Sequence, residues 1–261
     1  MYEKINTLEH LKTMLNAIKQ RGECSVDTEF IPNLNFTPKL LGISFSMSPG
    51  DSRFLASSDL ESYRNNDVKY SVKLELDKFF YDDKIKKIFH NAKADLQCLW
   101  SNGFKDINNV YFDTQVAAWV LNPLKKKYGL KFLVKEIFNV DMLDLTEWFK
   151  EGKTFKDYYV ANPEKAIAYA CADADFTWRL YEQFNKPIED RFKQVFYEIE
   201  MPTIPILARM EMHGIKVDRE RLLYLKNSFE GTIRELEDKL TAIGTPIVRG
   251  ESCSRRNPIS T

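Results

Sequence analysis

Four carboxylates spread over three separated segments constrain this 261-residue chain more than any other feature. Asp27 and Glu29 lie in Val26-Asp27-Thr28-Glu29, and Asp95 lies in His90-Asn91-Ala92-Lys93-Ala94-Asp95. Asp173 closes Tyr169-Ala170-Cys171-Ala172-Asp173. Acids this distant in sequence meet only through a fold. Around one point they repel one another unless cations sit between them. Their convergence predicts a two-metal site, and such sites cut or join phosphodiesters.

Cys24 to Glu29 reads as a strand, and a period of two puts Asp27 and Glu29 on one face. Taken alone, the pair also fits solvated acids on an exposed edge strand. Tyr169 and Asp173, four apart on a predicted helix, share a face. A buried tyrosine beside a solvated aspartate fits that spacing equally well. Asp175, two positions on, points to another side of the helix. Asn91, Lys93 and Asp95 open a helix directly after a strand, where open α/β sheets bind ligands. Each segment alone reads as ordinary surface residues, so the inference rests on the three together.

The rest of the chain supplies the scaffold. Leu8, Leu11, Leu15 and Ile18 make an amphipathic helix ended by Gly22. Leu41, Ile43, Phe45 and Met47 alternate as a strand. The turn Ser48-Pro49-Gly50-Asp51 leads into a returning strand, Arg53 to Ala56. Residues 57–76 read as a loop into a helix. Lys84 to Phe89 fits a short buried strand, and the helix opened by Asn91 runs through Trp100, with Gly103 beyond it. Asp113 caps a helix that stops at Asn122-Pro123. Leu130, Leu133, Val134, Ile137 and Phe138 form a core-facing helical stripe. Residues 139–163 look irregular. A last helix runs from about Pro163 to Phe184, with Lys186-Pro187-Ile188 marking the domain's end. Strands alternating with helices in this way suggest an α/β domain with a mixed sheet.

Composition narrows the classes. Net charge is zero, so bulk charge does not announce a nucleic-acid binder, although a metal site's own acids would cancel a basic rim. The four cysteines form no Cys-x-x-Cys pair and only three histidines are present, which argues against a zinc cage or a disulfide framework. Met1 to Ile5 carry charge and show no signal peptide, and no apolar run is long enough to span a membrane. The expectation is a cytoplasmic protein with no membrane contact.

The motifs resemble those of the Asp-Glu-Asp-Asp superfamily of 3′–5′ exonucleases. Tyr169 in the last motif is similar to the branch holding DNA polymerase proofreading domains and ribonuclease D. Phe112-Asp113-Thr114-Gln115 and Tyr128-Gly129-Leu130-Lys131-Phe132-Leu133 resemble that branch's linking helices. The stretch Ile199 to Glu211, with Gly214-Ile215-Lys216-Val217-Asp218, resembles the segment that opens the polymerase domain in the bacterial DNA polymerase I family. The resemblance covers residues 1 to about 243.

That resemblance implies a ribonuclease-H-like α/β fold, a mixed five-stranded sheet flanked by helices, with a C-terminal helical appendage. It implies an exonuclease domain over 1–190 and the helical start of a truncated polymerase domain over 191–243; the polar, patternless end of the chain is expected to make 244–261 a disordered tail. The implied cofactors are two divalent ions, Mg²⁺ or Mn²⁺. Asp27, Glu29 and Asp173 would hold the tighter ion; Asp27 would bridge to the second, which Asp95 would reach through water. Tyr169 would orient the attacking water. Thr28, Asn91 and Lys93 would contact the substrate.

The implied activity is removal of nucleoside monophosphates from single-stranded or frayed DNA 3′ ends. The alternatives are a ribonuclease D-like RNA exonuclease and a catalytically silent nucleic-acid-binding module. No Asp-Tyr-Ser-x-Ile-Glu-like motif follows, so no polymerase activity is expected. Lys125-Lys126-Lys127-Tyr128 and the lysines at 84, 86, 87 and 93 are candidates for a strand-binding groove, and solvated helix faces fit the first run as well. Leu222, Leu225, Phe229, Ile233, Leu236 and Leu240 form a helical stripe behind Asp218. A stripe over 218–240 needs a partner, either a separately encoded polymerase domain or a second copy.

Overall fold

Helix α1 (Leu8–Arg21) begins at Thr7, whose hydroxyl accepts from the His10 N–H, and ends at Gly22 in the left-handed conformation (φ 84°). In the computed structural model, residues 2–33, 37–57 and 66–243 are described. The chain divides into two units, Met1–Gly214 and Ile215–Thr261.

The first unit is built on a six-stranded sheet in the order β1-β4-β3-β2-β5-β6. The strands are β1 (Tyr2–Lys4), β2 (Glu23–Ile31), β3 (Lys39–Ser48), β4 (Asp51–Ala56), β5 (Lys86–Phe89) and β6 (Val110–Asp113). β2 pairs antiparallel with β3 and parallel with β5, so the mixed sheet is as expected. It has six strands rather than five. β1 has three residues and carries Glu3 and Lys4, too short and too polar for a pattern, yet it pairs parallel with β4 at the sheet edge.

Helices α2 (Asn66–Tyr81), α3 (Ala92–Ser101), α4 (Thr114–Leu121) and α5 (Leu130–Phe138) follow in order. The stretch expected to be irregular contains two short helices, α6 (Thr146–Lys150) and α7 (Phe155–Ala161). Thr154 and Asp157 close a reciprocal capping box at the start of α7. α8 (Pro163–Arg191) does not stop at Pro187. Proline removes one backbone donor there, but Ile188 beyond it is buried in the core and keeps the chain helical.

A π-helical stretch, Val195–Glu200, leads into α9 (Met201–His213). Phe196, Met201, Ile204 and Ala208 are buried in the main core with Leu11, Ile88 and Leu96. The compact unit that holds these residues ends at Gly214.

The described part of the second unit holds one helix, α10 (Arg219–Ala242), capped by Asp218, whose carboxylate accepts from the Arg221 N–H at 2.9 Å. Leu222, Phe229, Ile233, Leu236 and Leu240 on it are exposed. The tail expected over 244–261 lies outside the described residues. Among the described residues no helix is long and apolar enough to cross a membrane.

Candidate functional site

β2 runs between β3 and β5, so the strand bearing Asp27 and Glu29 lies inside the sheet. Its register shifts after Glu29. Opposite Glu29 is Gly42, where an added Cβ would come within 2.3 Å of the Phe54 ring. α8 crosses the sheet, and the buried Ser25 hydroxyl donates to the Ala174 carbonyl at 2.7 Å. That bond fixes the helix one residue from Asp173. One oxygen each from Asp27, Glu29 and Asp173 then lie within 4.8 Å of one another.

Asp95 arrives from α3 and is not part of that trio. Its Oδ1 accepts from the Thr28 N–H at 3.0 Å and from the Thr28 hydroxyl at 2.6 Å. It is close enough to Asp27 that the Asp27 charge raises its pKa. All four carboxyls are pushed up, burial being the largest cause. Asp27 rises to about 7. Glu29 and Asp173 are raised further by the charge on Asp27. The Lys131 ammonium opposes the rise at Asp27, Glu29 and Asp173.

Tyr169 packs against Phe155 with ring centroids 6.0 Å apart. Lys131 Nζ donates to its hydroxyl at 3.4 Å and lies 4.8 Å from its ring centroid. Burial first, then the charges of Asp173, Glu29 and Asp27, hold that hydroxyl protonated. A cavity of about 150 Å³ lined by Met142, Leu143, Lys165, Tyr169 and Asp173 opens beside the acids.

Closely set carboxylates that raise one another's pKa favour a bound cation, and here Asp27 and Glu29 are half-buried and Asp173 buried. Asp173 Oδ1 is buried without a hydrogen-bond partner. A donor set made only of oxygen suits Mg²⁺ or Mn²⁺. Asp27, Glu29 and Asp173 thus fit one divalent ion.

Other residues singled out in the sequence have different engagements. Asn91 adopts the left-handed conformation (φ 68°) between β5 and α3, and its N–H donates to Asp113 Oδ1 at 3.2 Å. Lys93 pairs with Glu211 on α9 at 2.6 Å. Lys87 is buried and donates to the carbonyls of Asp82, Ile85 and Asn108. Lys86 lies over the Tyr111 ring. Asp175 stays off the cluster, as expected, but is buried, accepting from the Tyr2 hydroxyl at 2.7 Å and the Gly50 N–H at 2.8 Å and pairing with Arg179.

Two contributors escaped the sequence reading. Lys131 stood within a recognisable stretch, but nothing local tied it to Tyr169. Asp113 read as the cap of one helix and serves two: it accepts from Gln115 and Val116 of α4, and from Asn91 and Ala92 at the start of α3.

A ribonuclease-H-like sheet that gathers acids from its central strand and a crossing helix defines a metal-dependent nuclease. The family model described as 3′-5′ exonuclease matches residues 2–189, and the chain belongs to that family. DNA polymerase I of Treponema pallidum is 33% identical over 175 residues, 66% of this chain and 17% of that protein. DNA polymerase I of Borreliella burgdorferi is 28% identical over 240 residues, 92% of this chain and 26% of that protein. The chain thus spans about a quarter or less of these relatives.

Among solved structures, the fold is similar to Pol1 of M. smegmatis (TM-score 0.62, 19% identity, 94% of this chain, 38% of that one). It is also similar to Escherichia coli RNase D (TM-score 0.60, 19% identity, 83% of this chain, 52% of that one). Brucella melitensis NrnC with bound Mg²⁺ matches with TM-score 0.57 at 19% identity, over 83% of this chain and 94% of that one. Family and carboxylate cluster together make this chain a metal-dependent 3′-5′ exonuclease acting on nucleic acid.

Proposed function

We propose that the chain removes nucleoside monophosphates from single-stranded or frayed DNA 3′ ends, as a proofreading-type exonuclease with two divalent ions. The observation that supports DNA is the Borreliella burgdorferi DNA polymerase I alignment, which continues over 92% of this chain, beyond the exonuclease family match. On this reading residues 191–243 correspond to the helical start of a polymerase domain. The exposed stripe of α10 is then the surface for a polymerase domain or a second copy. Sedimentation of the full chain at rising concentration tests self-association.

Asp27, Glu29 and Asp173 would hold the first ion, and Asp27 with Asp95 the second. Bound there, divalent ions would make hydroxide available near neutral pH and would stabilise charge on the leaving 3′ oxygen. The protein's own residues do the rest. Thr28 holds Asp95 against Asp27. Tyr169, steadied by Lys131, orients the attacking water with its hydroxyl. The small cavity beside Asp173 would receive part of the terminal nucleotide. A paired end must unstack to enter, at a cost of a few kcal/mol, which favours single strands.

Matched DNA and RNA oligonucleotides, single-stranded and blunt duplex, incubated with Mg²⁺, Mn²⁺ or EDTA, test the reading. Mononucleotide release from the 3′ end of single-stranded DNA, abolished by EDTA, is expected. Faster release from RNA would move the substrate to RNA. Equal rates on blunt duplex and single strand would contradict the entry argument.

A further inference from the structure

We infer that Glu211, in the last turn of α9, is a positioning residue for the nuclease reaction: through Lys93 and Gln97 it holds α3, and with it the carboxylate of Asp95. The inference rests on the nuclease reading above. It adds a residue outside the acids and outside the exonuclease family match, which ends at residue 189.

The contact is two-pronged. Lys93 Nζ donates to Glu211 Oε1 at 2.6 Å, and Gln97 Nε2 donates to Oε2 at 2.7 Å. Both oxygens of one carboxylate are thus taken by side chains one helical turn apart on α3. A single contact lets a helix pivot about it. Two contacts spaced along the axis oppose both rotation and sliding. Gln97 is buried and also reaches the Ala208 carbonyl at 3.4 Å. Arg209 lies 4.9 Å from the ring centroid of Trp100, a further turn along. Positions 93, 97 and 100 make one face of α3, and all three meet α9.

Asp95 lies midway between Lys93 and Gln97. At about 100° per residue it projects about 200° from each, so it leaves the opposite side of α3. There its Oδ1 accepts from the N–H and the hydroxyl of Thr28. The helix is therefore gripped from both sides, by β2 at the acid and by α9 behind it.

The charge of Glu211 separates positioning from substrate contact. A carboxylate repels a phosphate backbone, so a rate lost on removing its charge is not a lost substrate contact. Lys93 and Glu211 are both half-buried, and ion pairs open to water add little stability. Loss of the pair should cost rate while leaving the fold almost unmoved.

The test uses the full chain and a dT12 oligonucleotide. Wild type is compared with Glu211→Gln, which keeps the shape and one acceptor oxygen, with Lys93→Glu, and with the exchanged pair Lys93→Glu/Glu211→Lys. Glu211→Gln should melt within about 3 °C of wild type in EDTA. Mn²⁺ should raise both Tm values alike, because Asp27, Glu29 and Asp173 are untouched. Its kcat per folded molecule should fall about tenfold, with KM for dT12 within about twofold. The Mn²⁺ concentration for half-maximal rate should rise about tenfold. Lys93→Glu should lose at least as much, and the exchanged pair should recover most of the loss, since the Gln97 amide can turn its oxygen to the new ammonium.

Three results would overturn the inference: a Glu211→Gln rate equal to wild type, a rate that falls only with the folded fraction, or an exchanged pair no better than Lys93→Glu. The last would give Lys93 a role on the substrate itself. A wild-type chain that releases no nucleotide with Mg²⁺ or Mn²⁺ would instead sink the nuclease reading. Amide hydrogen exchange in EDTA then decides the rest. Faster exchange over residues 92–101 in Glu211→Gln would leave the hold of α9 on α3 standing, and unchanged exchange would overturn it.

Discussion

Thr28 holds Asp95 twice, with its backbone N–H at 3.0 Å and its hydroxyl at 2.6 Å, both on the same carboxylate oxygen. The residue between the two strand acids is thereby committed to the acid that comes from α3. Its hydroxyl donates to that carboxylate and so helps to set where it points. Thr28→Val keeps the N–H and the shape while removing the hydroxyl. It should lower kcat on single-stranded DNA by roughly tenfold through misplacement of Asp95, and Thr28→Ser should restore most of it. A Val variant with wild-type kcat would mean the backbone bond alone suffices.

Charge in the cluster sets a pH dependence. Burial holds the Asp27 carboxyl at about 7, against 3.8 for a free one. Between those values the native state binds more protons than the unfolded chain. Without metal, stability from this group is therefore complete below about 3.8 and is lost as pH rises toward 7. Glu29 and Asp173 shift in the same direction and add to the loss. In EDTA, Asp173→Asn should melt above wild type at pH 8, by about 3 °C or more, and the gain should shrink toward pH 4.5. Mg²⁺ or Mn²⁺ should raise the wild-type Tm at pH 8 and leave the variant nearly unmoved. Cleavage by Asp173→Asn or Asp27→Ala should be abolished. Calorimetry with and without metal reads the first pair of outcomes; a wild-type melt insensitive to metal would dissolve the assignment.

Tyr169 and Lys131 act as one unit if the 3.4 Å contact matters. Tyr169→Phe should slow cleavage by roughly tenfold to a few hundredfold without erasing it. Lys131→Met, losing the same contact and a nearby cation, should cost about tenfold. The double variant should cost less than the product of the two, as expected for groups in contact. Multiplicative losses would show that Lys131 works elsewhere, on Asp144 or on the acids directly.

How legible this was depended on sequence separation. Asp27 with Glu29, and Tyr169 with Asp173, are joined by strand and helix periods, and the structure keeps both pairings. Thr28 and Asp95 are 67 residues apart, so no period links them, and a threonine between two acids read as a substrate contact. The partner of Lys93, Glu211, is 118 residues on, in a helix assigned to another domain, so no local pattern shows the pair. Strand β1 carries no alternation in three residues, and its anchor, Asp175, was read as a bystander on α8. Pro187 looked like a stop because the burial of Ile188, which outweighs it, is a tertiary fact.

Asp113 and Asp175 separate support for the site from support for the fold. Both are buried aspartates outside the metal trio. Asp113 accepts four backbone N–H bonds, two from the start of the helix that carries Asp95. Asp175 ties Tyr2 and Gly50 to α8, pairs with Arg179 one turn along the same helix, and stays outside the acid trio. Replacing either by alanine strands buried donors, at about 1–3 kcal/mol for each group left unsatisfied, so both variants should melt below wild type. Their rates should part. At a temperature where both are folded, Asp175→Ala should cut single-stranded DNA within about threefold of wild type, because no ligand moves. Asp113→Ala should lose tenfold or more, because the α3 N-terminus is released and Asp95 goes with it. Asp113→Asn, which retains one acceptor oxygen, should fall between. The measurement is initial rate per folded molecule, with the folded fraction taken from circular dichroism on the same samples. If Asp113→Ala cuts as fast as Asp175→Ala, then Thr28 alone fixes Asp95, and the double cap belongs to the fold and not to the site.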